Sequence, residues 1–219
     1  MIEFGAGAVL EVDVLDERTI GAEGALSSRL RVVTMRLASA GAARLAAEAR
    51  DLLCDHRVET CVELITGRAA EGQIGLTAQE IKDLRGLTGD AVVTARLARL
   101  TPLADQTVAV PVLPPSRMPT TSKYVLVDRA AAEACERVRD AVSLRVAWRA
   151  GRSPVRVHLV EFARSATDHD ILLATRALDL AMDEWQVPNR SMESYRPGDA
   201  MPRGYAELIS LGDEVWRRR

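Results

Sequence analysis

The stretch from Ile74 to Leu100 constrains the fold more than any other, because it carries start and stop signals for two helices in close succession. Thr77 and Glu80, three residues apart, have the spacing of a capping box. Ile81 and Leu84 fall on one helical face. Gly86 is expected to end that helix in the left-handed conformation that glycine tolerates. Leu87 would plug the turn, and Thr88 or Asp90 would cap a second helix. Val93, Leu97 and Leu100, at i, i+4 and i+7, form its apolar stripe. Two short helices therefore meet at a tight turn over a small shared core.

Leu76-Thr77, Glu80-Ile81 and Gly86-Leu87 resemble the LT-x-x-E-[IL]-x-x-x-x-G-L core of winged-helix regulators. Lys82 stands where that core usually has a small residue, and the turn from Gly86 to Asp90 is longer by one residue. The resemblance implies a helix-turn-helix whose second helix can enter a DNA major groove. Its outward residues would include Asp90, Thr94, Arg96 and Arg99. The two arginines would contact phosphates or guanines, with Lys82 and Arg85 on the flanking backbone, so double-stranded DNA is the expected partner. Val58–Thr66 would be the helix that precedes such a core. Gln106–Leu113 would supply one wing strand, broken at Pro111. The plain alternative is a helical hairpin with a solvated basic face.

Residues 26–70 read as helix almost throughout. Leu30, Val33, Leu37 and Leu45 recur at near-helical spacing, with Gly41 on the same face. The alanine-rich run from Ala38 to Ala47 suits close helix packing, as an interior helix or as a seam between two copies of the chain. Ahead of it, Val9–Leu15 alternates like a strand; Gly5-Ala6-Gly7 precedes that strand instead of following one, so it is not a nucleotide-binding loop.

Pro111, Pro114, Pro115 and Pro119 mark residues 111–122 as an extended linker. It divides a helical part, 1–110, from a smaller α/β part, 123–219. There the pattern gives a strand at Tyr124–Val127, a helix over Arg129–Val142, strands at Leu144–Trp148 and Val155–Leu159, and a helix capped by Thr167 or Asp168. That order, βαββα, matches most of a split βαβ sandwich. Residues 188–206 read as a proline-bearing loop and Tyr205–Trp216 as a closing helix. The expected class is thus α+β, a helical N-terminal half with a helix-turn-helix-like core followed by a small α/β domain for ligand sensing or dimerisation.

Composition narrows the function. The net charge of −2 argues against broad charge-driven binding to nucleic acid or membrane but leaves room for a local basic face. No apolar run is long enough to span a membrane and no signal peptide opens the chain. Cys54, Cys61 and Cys135 form no CxxC pair, so a cytoplasmic protein with buried thiols is expected. No P-loop, G-x-S-x-G or H-E-x-x-H occurs, and no cofactor is expected. Glu161 with Asp168, His169 and Asp170 is the densest titratable cluster; a metal-dependent enzyme using Glu161, Asp168 and Asp170 is one alternative function. Acids in a first helical turn also simply favour the helix dipole. Lys123–Asp128 resembles the K-x-x-x-x-D half of the phospholipase D motif, with Thr121 where the nucleophilic histidine would stand. The leading expectation is a DNA-binding regulator. The other alternative is a non-catalytic subunit of a larger assembly, and a homo-oligomer or protein partner fits both.

Overall fold

The computed structural model describes residues 17–104, 110–118, 121–183, 185–186 and 190–219. The expected strand at Val9–Leu15 and residues 106–109 of the wing segment lie outside them.

Five helices form the N-terminal half: α1 (Glu17–Ser39), α2 (Ala43–Cys54), α3 (Val58–Ala70), α4 (Ala78–Arg85) and α5 (Ala91–Arg99). Leu30, Val33 and Leu37 of α1 pack with Ala46, Ala49 and Leu53 of α2 and with Cys61, Val62 and Ile65 of α3. Fully burying one such leucine contributes about 1.5–3 kcal/mol. Within the alanine run at the α1–α2 corner, Ala38 and Ala46 are buried where the two helices meet, while Ala40, Ala42, Ala43 and Ala47 stay partly exposed. The periodic stripe does not run on through Gly41, as the sequence pattern suggests. The chain breaks there, with Gly41 at φ +92°, and a Cβ at that position would sit 3.1 Å from Val110.

The C-terminal half holds β1 (Val112–Leu113), α6 (Ser122–Arg137), β2 (Ala141–Arg149), β3 (Val155–Phe162), α7 (Asp168–Asp183), β4 (Arg190–Tyr195), α8 (Arg203–Leu211) and β5 (Asp213–Arg217). The α+β expectation holds. β2 and β3 form an antiparallel hairpin, and α7 carries the chain across to β4, parallel to β3. β1 and β5 share the other edge of β2, β1 against Trp148–Arg149 and β5 against Ser143–Val146.

Four local expectations are corrected. Tyr124–Val127 is not a strand but the first turns of α6; only Val127 of that apolar run is fully buried, while Val125 and Leu126 face outward. Residues 188–206 are not a loop throughout: they contain β4 and the start of α8. The closing helix does not reach Trp216. It stops at Gly212, where a Cβ would lie 2.5 Å from the Leu208 carbonyl oxygen and 3.2 Å from that of Val146, and the chain leaves as β5. Val112–Leu113, read as the end of a wing strand and start of an extended linker, pairs with β2 instead, followed by a 3-10 turn at Pro115–Arg117.

One face of the sheet, through Leu144, Val160, Phe162 and Met192, packs on α6 and α7. The other, through Ala147, Val157, Leu159 and Tyr195, packs on Tyr205 and Leu208 of α8 and Met35 of α1. Leu172 of α7 enters the core of the helical half. Ion pairs lock the same junction. Arg31 of α1, nearly buried, donates to Asp168 at 2.7 Å and reaches Asp199 at 2.6 Å. Arg50 of α2 donates to the Met192 carbonyl on the β4 edge, where an unpaired strand would otherwise expose backbone groups.

Candidate nucleic-acid interface

The α4–α5 unit is held from both ends. The capping box forms as its spacing predicts: the Glu80 N–H donates to Thr77 Oγ1 at 3.2 Å and the Thr77 N–H donates to Glu80 Oε2 at 2.8 Å. Arg36 of α1 donates to Glu80 and, at 2.9 Å, to the Gly75 carbonyl, which ties the start of α4 to α1. Ile81 and Leu84 turn inward, and Leu87 is buried in the turn. Gly86 is not left-handed. At φ −73° and ψ −8° it stays in the helical region, and the Leu87 N–H closes a tighter bond to the Leu84 carbonyl at 3.1 Å.

Asp90 then caps α5, accepting from the N–H groups of Val92 at 2.6 Å and Val93 at 3.0 Å. Val93 and Leu97 point into the helical core, and α5 packs on α3 and α4. After α5 the chain turns back, and the Leu103 N–H donates to the Leu76 carbonyl at 2.8 Å. Gly75 permits this approach, since a Cβ there would meet the Leu103 side chain at 2.4 Å.

The outward face of α5 carries Val92, Ala95, Arg96 and Arg99, all exposed. Lys82 and Arg85, exposed, lie three apart on α4. None of these four cations makes an ion pair or side-chain hydrogen bond with a described residue. The acids of the same unit are otherwise engaged. Glu80 is buried in the cap, Asp90 serves the N-terminus of α5, and Asp83 accepts from Gln79 at 2.9 Å. Thr94 is half-buried and presents less of itself to a partner.

The residues of the alternative acidic cluster are engaged in separate contacts. Asp168 pairs with Arg31 and Arg196, Asp170 closes the cap of α7 with Thr167, and Glu161 accepts from Ser143 at 2.9 Å and Tyr195 at 3.1 Å. His169 stacks on His56 with ring centres 4.9 Å apart. Among the described residues no three metal-ligating side chains come together. The K-x-x-x-x-D segment lies on α6, with Lys123 donating to the Gln186 carbonyl at 3.1 Å.

Asp128 of that segment instead faces a buried pair that sequence spacing does not reveal. Arg156 and His158, alternate residues of β3, both donate to its carboxylate, Arg156 Nε and His158 Nε2 each at 2.9 Å from Oδ1. The Arg156 guanidinium lies over the rings of both Tyr124 and Trp148, at 5.3 and 5.2 Å from their centres. Burial alone would raise the Asp128 carboxyl; hydrogen bonds from His158 and Arg156 hold it below its ordinary value. Burial pushes the His158 imidazole below its ordinary value despite that carboxylate. On the opposite sheet face Arg149 pairs with fully buried Glu193, which lies below the usual carboxylate range because Arg149 and Tyr205 outweigh its burial. The Arg149–Glu193 pair is sealed from solvent, whereas the Asp128 side chain stays 15% exposed.

No protein-family model matches the chain, and no curated protein or solved structure is significantly similar to it. No helix among the described residues is long and apolar enough to cross a membrane. The fold defines the class, a mixed α+β protein with a helical N-terminal half and an α/β C-terminal half.

Proposed function

We propose that the protein is a DNA-binding regulator that reads double-stranded DNA with α5. The observation that carries this is the pair Arg96 and Arg99, exposed on one face of a capped helix and unpaired with any described residue. Such arginines are available to phosphate oxygens or to guanine edges. Lys82 and Arg85 on α4 flank them as backbone contacts. The nine residues of α5 extend about 13 Å, and Leu97 and Val93 fix its inner side to the core, so the outer side is presented rigidly. The C-terminal half would then sense a ligand or bring two copies together.

The test is fluorescence anisotropy with a labelled pool of mixed-sequence 30-base-pair duplexes, comparing the native chain with R96A/R99A. Native binding in the micromolar range at low salt, and at least tenfold weaker binding by a folded double variant, support the reading. Equal binding by the two removes α5 from the interface. A second reading, a subunit of a larger assembly, is favoured by exposed Val125 and Leu126 on α6 and Leu173 and Leu180, seven apart, on α7. Light scattering after size exclusion, with and without V125S/L126S, distinguishes self-association through that patch from a monomer.

A further inference from the structure

A cleft of about 500 Å³ opens between α2, the β4 edge of the sheet and the end of α7. That volume falls in the range of roughly 300–1,000 Å³ typical of small-molecule sites. Gly41, Ala43 and Ala47 keep the α2 wall low. Charge sets this cleft apart. Three arginines, Arg44, Arg50 and Arg190, line it against two acids, Asp179 and Asp183. Arg190 bridges both carboxylates and also donates to the Asp179 carbonyl at 3.0 Å, so neither acid stands free to repel an anion. Arg50, nearly buried, donates from Nη1 to the Met192 carbonyl. Its Nη2 lies 3.9 Å from Asp179, beyond hydrogen-bond reach, and donates to no described residue. Arg44 is exposed and pairs with no described residue. The first turn of α2 carries no side-chain cap and no acid, so the helix dipole adds to the positive side.

We propose that this cleft binds a small organic acid, whose carboxylate meets Arg44 and the unspent Nη2 of Arg50. Six residues apart on α2, the two lie about 9 Å apart along the axis, within reach of one carboxylate for side chains of that length. A guanidinium matches a carboxylate in shape and charge, and hydrogen bonds between two ionised partners are among the stronger ones. The excess of one positive charge suits a single carboxylate, while a cation would find both acids already taken by Arg190. The walls belong to different halves of the chain, α2 on one side and β4 and α7 on the other, so an occupant ties one half to the other. This names a ligand class for the sensing role proposed above; only that regulatory consequence rests on the DNA-binding reading.

The test is fluorescence titration of the full chain at low salt with dansylglycine, a dye bearing one carboxylate, beside its neutral amide. Saturable uptake of one dansylglycine per chain is expected, with the amide held at least about tenfold more weakly. Arg44→Gln, at an exposed position, should weaken dansylglycine uptake at least about fivefold and leave that of the amide as it is. Ala47→Phe, on the α2 wall, should fill the cleft and weaken both. Equal affinity for acid and amide, indifference to Arg44→Gln, indifference of a folded Ala47→Phe chain, or no uptake by the native chain overturns the proposal. Uptake by a chain that does not bind duplex upholds the cleft and defeats only the DNA-binding reading; duplex binding without uptake does the reverse.

Discussion

Replacing Asp128 with asparagine should cost about 3 kcal/mol of stability. Among the described residues the carboxylate is the sole anion paired with Arg156, whose side chain is 3% exposed, and it also orients the fully buried His158. Removing one partner of a buried pair leaves an uncompensated charge, typically at a cost of about 3–5 kcal/mol. Two features keep the cost at the lower end. Asparagine retains a carbonyl acceptor, and the rings of Tyr124 and Trp148 still face the guanidinium at 5.3 and 5.2 Å, each contact worth about 0.5–2 kcal/mol. Urea unfolding followed by circular dichroism measures it. With a slope of about 2 kcal/mol per molar, the midpoint should fall by about 1.5 M. D128N/R156M removes both charges and should recover most of the loss, since apolar replacement of a buried pair is often near neutral. A single variant within about 1 kcal/mol of native, or a double variant worse than the single, would refute the view that the buried charge sets this cost.

Three further outcomes follow from buried groups. His158 donates from Nε2 to Asp128 and its Nδ1 has no partner among the described residues, so a second proton would be a buried donor without an acceptor there. Its folded pKa lies below the ordinary 6.5, so its contribution is complete above that pH and declines as the pH falls further; urea midpoints from pH 8 to 5 should show this, and His158→Gln should flatten it. Arg31→Ala leaves Asp168 and Asp199, 10% and 3% exposed, with only Arg196 between them; unfolding experiments should show a loss of about 3 kcal/mol, and a change below about 0.5 kcal/mol would remove Arg31 from the junction. Burial pushes the Cys61 and Cys135 thiols up to about 12 and raises Cys54 as well, so a disulfide-exchange reagent at pH 8 should label none of the three within minutes natively and all three in denaturant.

The helical half was legible because its apolar residues recur at helical spacing and its caps use standard chemistry. Thr77–Glu80 and Asp90 formed as their side chains dictate. The α/β half was harder because its strands carry polar residues that face inward. β4, Arg-Ser-Met-Glu-Ser-Tyr, looks like loop until Arg149 and Arg50 are seen to satisfy Glu193 and the Met192 carbonyl. Tyr124–Val127 has strand-like residues, yet only Val127 needs full burial, and a helix provides it. Gly41 and Gly212 were the missed breaks. Periodicity runs across both, whereas backbone conformation at one and lack of space at the other end the helices. The basic face of α4 and α5 was readable from spacing alone.

The salt dependence of duplex binding tests the central claim most directly. Each phosphate contact contributes about 0.9 to the slope of log affinity against log salt. The native chain should bind the mixed duplex pool with a slope of about −2 or steeper, and R96A/R99A should bind with a slope shallower by about 1.8 if both arginines reach phosphates. Parallel slopes for the two proteins, or no duplex binding by the native chain at low salt, would contradict the account.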